Sequence, residues 1–292
     1  MGSVVPVRTR PTRLCYPLAH TSRLRRMLAI KLAAGADATS GASADATESA
    51  SRYDDQWDDR AIAIGIHSCG HKLDDVRNRL RRVEPVTWLF AGDSLFSDGT
   101  GARDWRSVAG HFTNRIRWEL RRFPDTVVTT ALPGMLAHEL RADFEARCLR
   151  FQPDVAFLFV GPLESAAGSA RLPDYEQAMI DMIGQVRQSG GIPVLNTTPM
   201  PIDFADSRRV DHQVYTEATR GIAAEHDVPL IDHSQRWEWV ESHIGSLRDW
   251  YDDDGRYPGE AGHMQLARAI FHELELLPQA ESSEKQRSWV SA

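Results

Sequence analysis

Cysteine is scarce in this sequence. Three residues, Cys15, Cys69 and Cys148, stand far apart in 292 and are odd in number, a poor start for a disulfide framework, and they read most simply as free thiols. Long apolar runs are missing too: no 18 apolar residues follow one another, so no transmembrane helix is expected. Basic charge is in deficit, with 34 Lys and Arg against 41 Asp and Glu and a net charge of −7. That is the wrong sign for a phosphate-neutralising surface, and nucleic acid is not an expected partner. Paired metal-ligand spacings are absent as well. The cluster His67-Ser68-Cys69-Gly70-His71 has no second half of the kind zinc sites show, and it reads as a loop leading into a helix. No metal is expected.

What is present is ordinary soluble composition, 42% hydrophobic and 26% charged, at a length that suits one large domain or two small ones. Residues 1–60 stand apart. They carry seven Arg or Lys and no acid before Asp37, then the stretch ADATSGASADATESAS, too small and polar to bury a core. A disordered, low-complexity leader is expected over 1–60, a folded domain over 61–278 and a disordered tail over 279–292. Within the leader, RLRRMLAIKLAAGADA has the basic start and small-residue end of an export signal, but Lys31 interrupts its short apolar part. Export and an alternative start at Met27 both fit this stretch; a cytoplasmic location is the expectation, with export the alternative.

From residue 72 the pattern becomes regular. KLDDVRNRLRR predicts a short helix, and PVTWLFAGDS an apolar β-rich run that ends in a Gly-containing polar turn. Trp105, Val108, Phe112, Ile116 and Leu120 then recur at helical spacing as one apolar stripe. Further strands are expected at Thr126 to Thr130, DVAFLFVG, IPVLNTT and VPLID. Helices are expected across Leu136 to Leu149, around Tyr175, Met179, Met182 and Val186, from Val210 to Glu225, and from Glu260 to Leu276. Short strands, several apolar throughout and alternating with helices, require a parallel sheet covered on both faces. The expected fold is α/β, a three-layer α/β/α sandwich with a flavodoxin-like parallel sheet of about five strands. Ligands of such sheets bind beyond the strands' carboxyl ends, which points to Asp93-Ser94, Leu132 to Gly134, Gly161 to Glu164, and Pro199.

Those strand ends resemble the block motifs of the SGNH, or GDSL-type, hydrolases, over about residues 72–276. AGDSLFSDG matches the first block and implies Ser94 as nucleophile. TTALPG matches the second and implies that the Gly134 N–H, with the Ser94 N–H, binds the oxyanion; a backbone donor approaches a substrate most closely where no side chain intervenes. In PDVAFLFVGPLESAAG, Leu163 stands where family members carry the oxyanion-binding Asn. In YDDDGRYPGEAGH, Asp254 and Pro258 match the last block, but Tyr257 occupies the position of the catalytic His. The resemblance implies a serine ester hydrolase for short acyl esters, often on carbohydrate, with no cofactor, and with two of its groups replaced. A phenol titrates near pH 10 and is a poor base at neutrality. In a serine protease, loss of the histidine costs about 10⁶ in kcat, and loss of one oxyanion donor costs about 10² to 10³. Weak activity is therefore expected, and the alternative is an inactive relative that binds an acylated sugar or a protein partner in the old pocket.

Three other histidines are candidates for a substitute base: His263 at the start of the last helix, His138 one turn beyond Gly134, and His233 directly after the fifth strand. Each also reads as a surface or satisfied core histidine; His111 falls on the polar side of its stripe. Ser94 has a structural reading too, since Gly-Asp-Ser caps a following turn well. Trp237, Trp239, Trp250 and Tyr251 allow either a stacking wall for sugar or acyl groups or a cap helix packed on the core.

Overall fold

The computed structural model describes residues 73–96, 106–202, 206–243, 245–252, 255 and 257–276. The leader, the His67–His71 cluster, Cys15, Cys69, Trp105, Asp254 and the tail expected over 279–292 lie outside the described residues. Of Ser94 only the backbone is described.

After helix α1 (Asp74–Arg81), strands and helices alternate. They are β1 (Thr87–Gly92), α2 (Val108–Thr113), β2 (Thr126–Thr129), α3 (Ala137–Ala142), α4 (Phe144–Arg147), β3 (Val155–Phe159), α5 (Pro162–Ala166) and α6 (Leu172–Gln188). β4 (Ile192–Asn196), α7 (Asp206–Glu225), β5 (Leu230–Ile231), α8 (His233–His243) and α9 (Glu260–Glu273) complete the order. The five strands form one parallel sheet in the order β2-β1-β3-β4-β5. The chain leaves β1 toward β2 and then crosses back to β3. The strand order therefore reverses between β1 and β3, and sheets of this kind bind their ligands at the carboxyl ends of such strands.

Strand alternation assigns the two faces. Leu89, Ala91, Ala156 and Leu158 pack with Leu140, Phe144, Met179, Met182 and Tyr215 from α3, α4, α6 and α7. On the other face Trp88, Phe90 and Phe157 meet Phe112 of α2, with ring centroids 5.2, 5.2 and 5.8 Å away, and Phe271 of α9 lies 6.3 Å from Phe112. α6 shows how sequence becomes packing. Tyr175, Ala178, Met179, Met182, Ile183 and Val186 are spaced by three and one, fall on one face and are all buried. Pro173 in the first turn, Asp174 near the N-terminus and Arg187 near the C-terminus suit the ends of that helix.

Two expected helices are interrupted. The stripe beginning at Val108 passes after Thr113 into a wider turn over Asn114–Glu119, where the Leu120 N–H donates to the Arg115 carbonyl five residues back. Val108, Phe112 and Ile116 are fully buried, but the widened turn takes Leu120 off their face and leaves it 39% exposed. The expected Leu136–Leu149 helix breaks at Asp143, whose φ and ψ of −99° and 14° separate α3 from α4. Aspartate competes poorly in helix interiors because its side chain offers the backbone alternative hydrogen bonds. Helices α5 and α8, which the sequence pattern did not assign outright, are formed.

Candidate functional site

β1 ends against β3. Gly92 has φ +135°, and a Cβ there would stand 1.7 Å from the Phe159 carbonyl oxygen, so only glycine fits. Beyond it the Asp93 N–H donates to that same carbonyl at 2.8 Å, and the chain turns into a 3-10 segment over Ser94–Phe96. Asp93 and Ser94 thus stand at the strand-order switch point.

The loop after β2 comes to meet this turn. The Asp93 carboxyl, 2% exposed, accepts the Gly134 N–H at 2.7 Å. Gly134 has φ +80°, and a Cβ added there would lie 3.8 Å from Cδ2 of Leu163. Leu163 stands near the start of α5 and is 39% exposed. The residues that the family resemblance pairs at the oxyanion position are therefore neighbours in space, but the Gly134 donor is engaged by Asp93 and the Leu163 side chain has no polar atom. Behind Leu163, Glu164 is 3% exposed and accepts the Ala137 N–H at 2.5 Å. Burial pushes its carboxyl above the ordinary range, the Ala137 N–H opposes the shift, and the neighbouring Asp93 adds to it.

Tyr257 is held in a closed loop. Tyr251 and Pro258 form an antiparallel bridge, the Asp252 N–H donates to the Tyr257 carbonyl at 3.0 Å, and the Tyr257 N–H donates to the Asp252 carboxylate at 3.3 Å. Gly262 lets α9 approach: a Cβ there would meet the Trp250 carbonyl oxygen at 2.2 Å and Pro258 at 2.6 Å. The Ile202 N–H donates to Gly255 and the Tyr251 hydroxyl to the Met200 carbonyl, which tie this loop to the segment after β4. Between them lies a small cleft lined by Leu95, Pro162, Thr198, His212, Tyr257 and Pro258, with Pro199 and Pro201. Its free volume of about 20 Å³ is room for roughly one water molecule.

His212 is the residue the sequence reading passed over. It sits early in α7, 1% exposed, with Nε2 2.8 Å from the Thr198 hydroxyl and Nδ1 without a hydrogen-bond partner. Burial lowers its pKa to about 4, the Pro199 backbone opposes the shift, and Arg209 adds to it. The signal was available only indirectly: α7 is the helix that follows β4, whose carboxyl end is one of the places where such sheets gather their sites.

The three expected substitute bases are elsewhere. His138 is exposed and lines a separate surface depression of about 330 Å³ with Arg141, Arg171, Asp174 and Gln177. His233 is fully buried, with Nε2 3.2 Å from the Asn196 side-chain oxygen and burial lowering its pKa to about 3. His263 is fully buried in α9 with both ring nitrogens unpaired, its pKa lowered to about 4 by burial and by His111. None of the three lines the Tyr257 cleft.

The aromatic cluster belongs to the core. Trp237 is 1%, Trp250 2% and Tyr251 7% exposed, and the two indoles meet edge to face at 4.8 Å. Trp239 is half-buried and stacks on His243 at 4.6 Å. Trp237, Trp250 and Tyr251 are covered by the protein's own atoms, so these three rings belong to the packed core rather than to a stacking wall. Cys148 is buried, and burial followed by Glu145 pushes its thiol up to about 12. Among the described residues, no three His, Cys, Asp or Glu side chains group as metal ligands, and no helix is long and apolar enough to cross a membrane.

Residues 90–265 match the family described as GDSL-like Lipase/Acylhydrolase. Axe2, an acetylxylan esterase from Geobacillus stearothermophilus, superposes with a TM-score of 0.56 at 20% identity, covering 66% of this chain and 97% of that one. LAE5, an alpha/beta hydrolase enzyme from the metagenome of Lake Arreo, Spain, gives a TM-score of 0.57 at 17% identity, covering 68% and 99%. At these identities the likeness is one of fold. No curated protein matches the chain.

Proposed function

The chain belongs to the GDSL-like lipase/acylhydrolase family, and from that premise we propose that it is a slow serine ester hydrolase for short acyl esters, acetylated carbohydrate being the class suggested by Axe2. The observation that carries the reading is the meeting of Asp93-Ser94, Gly134 and Leu163 at the sheet's switch point, with Tyr257 and Leu95 lining one cleft beside it. Ser94 is the nucleophile. Its oxygen attacks the acyl carbon, the alcohol leaves, and water releases the acid from the acyl-enzyme. Asp254 keeps the role that its motif position implies, as the acid of the last block.

The rate is low for reasons the site supplies. The Ser94 N–H and Gly134 N–H are the oxyanion donors of this reading, and Leu163 adds none. In the structure Gly134 donates to Asp93, and giving up a hydrogen bond to a charged group costs roughly 1.5–3 kcal/mol. The same observation favours a second reading, an inactive protein that holds an acylated sugar or a protein partner. Equilibrium binding of acetylated xylo-oligosaccharide to Ser94→Ala, beside turnover of the same ester by the unmodified chain, separates the two. Binding without turnover supports the second; Ser94-dependent acetate release supports the first.

A further inference from the structure

We propose that His212 is the imidazole base of this site, taking the part for which Tyr257 is unsuited; this rests on the esterase reading above. His212 and Tyr257 line the same cleft, and Leu95, next to Ser94 in the chain, lines it too. The imidazole is 1% exposed, its Nε2 is anchored 2.8 Å from the Thr198 hydroxyl, and Nδ1 has no hydrogen-bond partner. A buried unpartnered ring nitrogen is costly unless it has a use. With the Nε2 proton donated to Thr198, Nδ1 carries the lone pair, and Thr198 fixes ring and tautomer as the acid does in a triad.

The groups that face His212 are Arg209 on its own helix, Thr198 and Pro199 from the end of β4, and Tyr257 from the last loop. No carboxylate is among these groups, so a protonated ring is poorly held, and the imidazole stays neutral down to a pH of about 4. In the reaction Ser94 Oγ bonds to the acyl carbon as its proton passes to Nδ1. The bond to the leaving oxygen then breaks as Nδ1 returns that proton, giving the alcohol and acyl-Ser94. Water attacks the acyl group, delivers a proton to Nδ1, and the acid departs as Ser94 regains its hydrogen.

The test is hydrolysis of 4-nitrophenyl acetate from pH 4 to 10 by the unmodified chain, Ser94→Ala, His212→Gln, His212→Ala and Thr198→Val, with folding of each followed by thermal unfolding. The expected result is a Ser94-dependent rate whose acid limb lies near pH 4. It falls about 10²-fold or more in both His212 variants, and added imidazole restores part of it in His212→Ala, with the limb moving toward about 6.5. Thr198→Val lowers the rate and moves the limb. A folded His212→Gln that keeps the Ser94-dependent rate overturns the proposal and leaves the esterase reading standing. So does a Ser94-dependent rate that rises only above about pH 9, which would make the Tyr257 phenolate the base. If the His212 variants do not fold, a folded Thr198→Val with unchanged rate and limb overturns it. A parent rate indifferent to Ser94 removes the esterase reading and the role of His212 with it.

Discussion

Replacing Leu163 with asparagine restores the donor that the oxyanion position lacks. Leu163 Cδ2 lies 3.8 Å from where a Gly134 Cβ would stand, so an amide on the same stem lies beside Gly134. One preorganised donor of this kind is worth about 10² to 10³ in kcat, roughly 2.7–4 kcal/mol. The cost to the fold is small. Leu163 is 39% exposed, and since full burial of a leucine is worth about 1.5–3 kcal/mol, the loss is about 1 kcal/mol. The Asp93 carboxylate holds Gly134 at 2.7 Å and works against the gain, so the lower end, about 10², is expected for Leu163→Asn alone. Adding Tyr257→His places an imidazole at the position where the family carries its base and raises the rate further near pH 7. The assay is kcat/KM for 4-nitrophenyl acetate at pH 7 for both single variants and the double variant, alongside urea unfolding. A folded double variant as slow as the parent would refute the alignment of both blocks.

Gly92→Ala places a Cβ against the Phe159 carbonyl at a φ of +135°, and a loss of at least about 3 kcal/mol is expected in urea unfolding; a loss under 1 kcal/mol would contradict the tight β1–β3 junction. Trp237→Ala removes a fully covered indole and should cost about 3–5 kcal/mol, while kcat/KM per folded molecule stays unchanged; a stable variant with a raised KM would instead restore the stacking wall. His212, His233 and His263 are lowered by burial to about 4, 3 and 4, so between about pH 4 and 6.5 the unfolded chain binds more protons than the folded one. Stability from these three is complete above about pH 6.5 and is lost as pH falls toward 4, at up to about 1.4 kcal/mol per pH unit for each. Raised Glu164 acts oppositely, as a single group against three. Tm should drop clearly from pH 7 to 5, and a flat Tm across that range would show these rings to be solvated.

The sheet was legible because several of its strands are apolar throughout and their turns carry Gly, Asp and Pro, so a parallel sheet of about five strands follows from the pattern. Helix interiors were less legible. The wide turn after Thr113 and the break at Asp143 arise from local backbone choices that an apolar stripe does not encode. In the site, the neighbourhood of Gly134 and Leu163 was readable because both follow strand ends. The Asp93 to Gly134 hydrogen bond was not, since it joins residues 41 apart in sequence. His212 was not legible because it lies on α7, well past the end of β4, where a strand-end motif carries no information. The aromatic run after β5 was ambiguous in sequence for a physical reason: the same indoles that stack on sugars also fill cores, and only burial separates the two.

The most direct test of the functional reading is hydrolysis of 4-nitrophenyl acetate by the unmodified protein and by Ser94→Ala, side by side from pH 6 to 10. A slow rate that disappears with the Ser94 hydroxyl is predicted. Equal, near-background rates in both proteins would contradict it and turn the site into a binding pocket.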